Sequence, residues 1–215
     1  MSRRRGFSGS ALIRYATHWT DLDLPETRTD VAEQLAGWIA WTDAIVLARV
    51  LEADPAPPTG ASGVPVSERA VLAQVRESLS GPFDIPAGGD EFAPWRRLYH
   101  ERQRVMQARI APLRARMRNH LGSGPPPWRR LATLDALLER VLGPREQALL
   151  ATVPVLLEKQ FDHQRRSAPP QPEGEAPTAP GWLAGFCRDM HGVMCAELAL
   201  RLQPVEGLLA ALGPP

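Results

Sequence analysis

Lysine is almost missing from this chain of 215 residues: Lys159 stands alone beside twenty-four arginines. There is no phosphate-loop lysine, and neither GxGxxG nor HExxH occurs, so the commonest nucleotide and zinc-protease motifs are excluded. Cysteine is equally scarce. Cys187 and Cys195 sit eight residues apart on one expected helix, about 12 Å along its axis. A disulfide needs Cα atoms within about 7 Å, so the two cannot bridge each other and read as reduced core thiols. No apolar run approaches the roughly 18 to 20 residues that cross a bilayer, and no membrane insertion is expected. Met1 to Arg5 is basic, but no apolar stretch follows it as in a signal peptide. The expected location is the cytoplasm. Excess charge is missing too: a net +1 gives no whole-molecule attraction to polyanions, so any basic surface must be local. Nowhere do β-branched residues alternate as a strand requires.

What the chain does have is a long arginine-rich helix, expected over residues 94–121. Tyr99, Met106 and Leu113 recur every seven residues, and Gln103, Ile110 and Met117 fill the alternate positions. This is the apolar seam along which helices pack, as in a coiled coil. Arg102, Arg109 and Arg116 run beside the seam, while Arg97, Arg104 and Arg118 fall on the opposite face. Glu101 is the only acid there, against eight arginines. Pro94 suits a first turn, whereas Pro112 should kink the helix near Ala108. Gly122 to Pro127 stops it.

Two readings of the arginines compete. In one, Arg102, Arg109 and Arg116 pair with acids on neighbouring helices, with Asp135, Glu139, Glu146, Glu158 and Asp162 as candidates. In the other they meet the phosphates of nucleic acid or lipid. Near-total preference for arginine over lysine also suggests coding bias, which lessens the meaning of each arginine.

The remaining segments are helical by spacing. A short helix capped by Ser8 or Ser10 should reach Trp19. A second, from about Thr29 to Leu51, points Val31, Leu35, Trp38, Ile45 and Val46 inward; Asp43 within it should pair with Arg14 or Arg49. A third covers Val66 to Ser80. Trp128 opens a helix carrying Leu131, Leu134, Leu138 and Val141. Gly143-Pro144 should end it and start another with Leu149, Val153, Leu156 and Phe161 inward. The last runs from Trp182 until Pro204 interrupts it, with Leu183, Phe186, Met190, Val193, Leu198 and Leu202 periodic and Glu197–Arg201 an i,i+4 pair. Trp38, Trp41, Trp182 and Phe186 are the expected core or interface anchors. The layout is a hairpin (1–52), a Pro/Gly linker (53–65), a central helical region (66–166), a Pro-rich linker (167–180) and a C-terminal amphipathic helix (181–215), together one all-α elongated bundle. The two linkers lack the apolar surface to order themselves.

Chemistry is thinly represented. Cys187-x3-His191-x3-Cys195 has zinc-ligand residue types, but its outer Cα atoms are about 12 Å apart on a straight helix, too far for thiolates with bonds of about 2.3 Å. Gly6-Phe-Ser-Gly-Ser10 is a poor nucleophile elbow, with no strand before it. No catalytic residue, metal or cofactor is expected.

Phe7-Ser-Gly-Ser-Ala-Leu12, Trp38-x-x-Trp-Thr-Asp-Ala44 and Pro112-Leu-Arg-Ala-Arg116 together resemble an uncharacterised family of Gram-negative bacteria. Residues 145–154 and 196–207 carry the resemblance further. The family is domain-of-unknown-function family 3348. The resemblance implies no activity. It implies a genomic neighbourhood of MotA/TolQ-type proton-channel subunits and OmpA-type peptidoglycan binders, hence a cytoplasmic accessory of an envelope complex. The expectation is therefore a non-enzymatic helical adaptor that meets a helical protein partner or itself; nucleic-acid binding through residues 95–121 is the alternative.

Overall fold

The computed structural model describes residues 11–20, 41–52, 66–88, 90–168 and 181–212, and among them it is all-α. The described residues form seven helices: α1 (Ala11–Thr20), α2 (Trp41–Glu52), α3 (Val66–Ser80), α4 (Phe92–Gly122), α5 (Pro126–Leu150), α6 (Val153–Ser167) and α7 (Gly181–Ala211). The expected linker 53–65, all of the expected linker 167–180 beyond Ala168, the helix start before Trp41, and the Trp38 and Trp41 side chains lie outside the described residues; Ser167 itself ends a helix.

The chain forms two compact units that cut across its sequential order. The first gathers Met1–Leu24, Leu79–Met106 and Ala151–Leu200; the second gathers Pro25–Ser78, Gln107–Leu150 and Arg201–Pro215. Both long helices, α4 and α7, contribute to each unit.

In the first unit the leading part of α7 is the centre. It is apolar on more than one face, the pattern of a helix enclosed by others, and Phe186, Met190 and Val193 have no exposure. The unit's aromatics close on Phe186. The rings of Phe161 and Trp95 stand edge-on to it at 5.0 and 5.3 Å, and Trp182 stands edge-on to Phe161 at 5.1 Å, the arrangement that ring quadrupoles favour. Phe186 is fully buried in this cluster, and Trp182 is half-buried beside Phe161. α1 packs on α6, and Tyr15 of α1 presses its ring against Gly192 of α7. Before α4, Gly88 takes a positive φ of 72°, and its carbonyl accepts the Glu91 N–H at 3.1 Å, a turn conformation that costs glycine little.

The α4 seam is buried as its spacing predicts. Tyr99, Met106, Ile110, Leu113 and Met117 lie in the core and Gln103 is half-buried; Leu121, off the seam register, is buried too. In the second unit α4 turns through Ser123–Pro125 into α5, making a helical hairpin, and α2 packs on α5.

Two proline expectations need correction: α5 continues through Gly143-Pro144 and α7 through Pro204. α4 also continues through Pro112. Each proline frees one carbonyl four residues back. For Pro112 and Pro144 those residues, Ala108 and Arg140, are exposed, as are the prolines themselves; water can satisfy the carbonyl and the helix survives. The break falls instead at Ala151-Thr152, where Thr152 begins α6 and Pro154 occupies the first turn without losing a bond. α5 likewise starts at Pro126, not Trp128. Ile45, Val46 and Leu149, expected to face inward, are exposed, Leu149 by 68%. Leu131, Leu134, Leu138 and Val141 are half-buried.

The tight approach of Tyr15 gives a testable contrast. Alanine in a helix interior normally gains about 1 kcal/mol over glycine. At Gly207, with open space around its Cα, Gly207→Ala should raise the unfolding temperature by a few degrees. At Gly192 a methyl group would run into the Tyr15 hydroxyl, with Tyr15 Cζ at 2.8 Å. Gly192→Ala should therefore lose that gain and shift Tyr15 away, measurable by thermal unfolding and by the fluorescence of neighbouring Trp19, whose ring lies 5.6 Å from Tyr15.

Candidate functional site

The arginine face of α4 is the candidate, and its second-unit half carries the densest chemistry. Arg114 and Arg118 lie one turn apart on α4; Asp135 and Glu139 lie one turn apart on α5. The hairpin sets the two pairs against each other. Arg114 donates in a fork to Asp135, Nε to Oδ2 at 2.9 Å and Nη2 to Oδ1 at 2.7 Å, the planar bidentate geometry that strengthens such pairs. Its Nη1 lies 3.5 Å from Glu139 Oε1. Arg118 reaches Asp135 Oδ2 at 3.3 Å and pairs with Glu139. Burial works against the charge of Arg114, yet the hydrogen bond and field of Asp135, aided by Glu139 and Glu146, outweigh it and raise its pKa above the ordinary guanidinium value. The side chains of Arg114 and Asp135 are only 14% and 10% exposed, so this is a largely desolvated pair, unlike a surface one.

Arg102, Arg109 and Arg116 were expected against α5 and α6, and none goes there. Arg116 pairs with Glu68 of α3, Nη2 to Oε2 at 2.7 Å. Arg102 donates to the Pro82 carbonyl at 3.1 Å. Arg109 is exposed and, among the described residues, makes no ion pair; the same holds for Arg97. Arg104 pairs with Glu101 on its own helix at 3.2 Å, and Arg118, expected on the outer face, is inside the hub. Arg96 meets Glu158 at 2.6 Å and lies over the Phe92 ring, 5.4 Å from its centroid. The reason for the misassignment is geometric. Heptad spacing says which residues share a stripe, while pairing depends on which neighbouring helix faces it. The matched four-residue spacings Arg114-x3-Arg118 and Asp135-x3-Glu139, symmetric about the Gly122–Pro127 turn, were the signal that could have found the hub.

Two polar features were not foreseen. Glu197 of α7 is fully buried and accepts from the Tyr99 hydroxyl at 2.6 Å and from Gln103 Nε2 at 3.1 Å. The polar Gln103 in an apolar seam is explained by that acceptor. Asp189 accepts from both Gln160 and Gln164 of α6, at 3.0 and 2.7 Å. Asp43 pairs with Arg140 of α5, not with Arg14 or Arg49 as expected.

His191 points its Nε2 at the Ser80 carbonyl, 2.9 Å away, with Cys195 Sγ 3.7 Å from the same nitrogen. A carbonyl only accepts, so Nε2 carries the proton and cannot take one from the thiol. Burial pushes the thiols of Cys187 and Cys195 above the ordinary cysteine range, the opposite of nucleophile activation. Among the described residues no cluster of three or more His, Cys, Asp or Glu could hold a metal ion.

A family model described as "Protein of unknown function (DUF3348)" matches residues 1–214. The chain belongs to this family. No curated protein and no solved structure matches it. Membership in DUF3348 carries no activity with it, so the reading of this DUF3348 chain rests on its side chains. No helix among the described residues is long and apolar enough to cross a membrane.

Proposed function

We propose that this DUF3348 chain is a non-enzymatic helical interaction protein, an adaptor that meets a helical protein partner. The observation that carries the reading is the use of the α4 guanidiniums: Arg96, Arg104, Arg114, Arg116 and Arg118 are all spent on acids of the same chain. Arg102 holds a backbone carbonyl. The exposed pair Arg97 and Arg109 is too little for a polyanion. A protein held to DNA by charge makes about 6 to 10 phosphate contacts. The partner class we favour is an envelope complex of MotA/TolQ-like and OmpA-like components, on the genomic neighbourhood that the family resemblance implies.

Fluorescence anisotropy with a random duplex tests the reading against nucleic-acid binding. Near physiological salt we expect no saturable binding, and Arg97→Gln with Arg109→Gln should change nothing. Tight binding that the double variant abolishes, with the salt slope reduced by about one unit per lost contact, would replace the adaptor reading with nucleic-acid recognition. Crosslinking in native cells, with the membrane fraction retained, identifies the partner.

A further inference from the structure

Three heteroatoms converge beside α7 in the first unit. His191 Nε2 lies 2.9 Å from the Ser80 carbonyl oxygen and 3.7 Å from Cys195 Sγ. His191 and Cys195 are one turn apart, so their side chains rise from the same face of α7. Ser80 is the last residue of α3, and the final carbonyls of a helix receive no N–H from within it; the imidazole N–H serves this one. The thiol gains nothing comparable from Nε2. With that nitrogen protonated, S–H and N–H are two donors side by side.

The spacing suits a cation in place of those protons. With bonds of about 2.05 Å to an imidazole nitrogen and about 2.3 Å to a thiolate, the 3.7 Å between Nε2 and Sγ corresponds to an angle of about 116° at the metal. A tetrahedral ion prefers roughly 109°. The Ser80 oxygen need move only about 0.5 Å to reach the same ion at a similar angle. Gly81 follows it, with nothing within 4 Å of its Cβ position, so that peptide has room to turn. Both side chains are half-buried, and solvent can supply a fourth donor. Cys187 stays outside the set, about 12 Å from Cys195 along the helix.

We infer that His191 Nε2, Cys195 Sγ and the Ser80 carbonyl form a site for one thiophilic divalent cation of the zinc kind. On binding, the thiol proton leaves to solvent and the imidazole proton moves from Nε2 to Nδ1, so the chain loses one proton for each cation taken up. Nitrogen and thiolate donors select such an ion over magnesium or calcium, which prefer oxygen. The inference is independent of the adaptor reading, because it concerns an ion and not the protein partner.

The test uses the full chain, freed of metal by a chelator, with zinc titrated against a colorimetric zinc indicator and cobalt followed by absorption. One zinc per chain is expected, with a Kd below about 10 μM. A thiolate-to-cobalt charge-transfer band should appear, and excess magnesium should change neither reading. Cys195→Ser, and His191→Gln, which keeps a donor for the Ser80 carbonyl, should each weaken zinc at least about tenfold while helical circular dichroism is retained. Cys187→Ser should stay within about twofold of the parent and keep the cobalt band. That variant carries the test even if the others fail to fold, since Cys195 is then the one thiol in the chain. No saturable binding below about 0.1 mM would overturn the inference. So would loss of binding and band in Cys187→Ser, or zinc binding that survives both Cys195→Ser and His191→Gln.

Discussion

Replacing Glu197 with alanine is expected to lower the unfolding temperature by roughly 10 °C, near the largest effect of any single change in the first unit. The carboxylate has no exposure, and it accepts from Tyr99 and Gln103 across the α4–α7 contact. Alanine strips both donors of that acceptor and leaves a cavity. Losing a charged buried partner costs about 3 kcal/mol, and in a chain of this size each kcal/mol moves the midpoint by about 2 to 4 °C. Glu197→Gln keeps an acceptor oxygen for the Tyr99 hydroxyl and should fall by less than half as much. The combination Tyr99→Phe with Glu197→Leu removes the acceptor and the Tyr99 donor, with Gln103 still deprived of that acceptor, and it should recover part of the loss, since apolar groups of similar shape need no partner. Calorimetry or circular dichroism reads all four proteins. A midpoint for Glu197→Ala within a degree of the parent would show that the carboxylate is not held as described.

This network also marks where the sequence was and was not legible. The α4 seam was readable because a period of seven marks a buried stripe whatever lies opposite it. Gln103 was read as part of that seam, and its polarity already called for a buried partner. The i,i+4 spacing of Glu197 and Arg201 is a local rule that says nothing of burial, so it pointed to neither Tyr99 nor Gln103. Its neighbours Met194, Ala196 and Leu198 are all buried, so α7 leaves that position no route to solvent. Whether a proline such as Pro144 ends a helix depends on which way its freed carbonyl faces, and that is a property of packing. Thr152-Val-Pro154 was the better break signal, because a proline in a first turn costs nothing. The arginines were assigned by stripe when their partners were set by the hairpin. Acids of the same chain take up five of the eight α4 arginines, but of Arg102, Arg109 and Arg116 only Arg116 is among them, and its partner is Glu68 of α3.

Asp135→Ala should be the most damaging change in the second unit, because it strands two arginines at once. Arg114 loses its bidentate partner and Arg118 loses one of two acids, in a site where burial leaves little water to replace them. Removing one member of a buried pair costs about 3 to 5 kcal/mol, largely the penalty of the charge left behind. Surface pairs give the contrast: Arg116→Gln breaks the half-exposed contact with Glu68 and should cost about 0.2 to 1 kcal/mol. Salt separates the two classes further. Raising ionic strength should shrink the Arg116 effect and leave the Asp135 effect nearly intact, because screening reaches exposed charges and not desolvated ones. The pH behaviour has a definite sign. Arg114 has its folded pKa raised, so its contribution is complete at every pH below the ordinary guanidinium value and is lost only above the raised one. Moderate alkali should therefore leave the difference between parent and Asp135→Ala unchanged. Denaturant titration at two salt concentrations and two alkaline pH values measures each of these differences, and an Asp135→Ala loss no larger than that of Arg116→Gln would mean that the hub is a surface pair and the arginines of α4 are available to a partner after all.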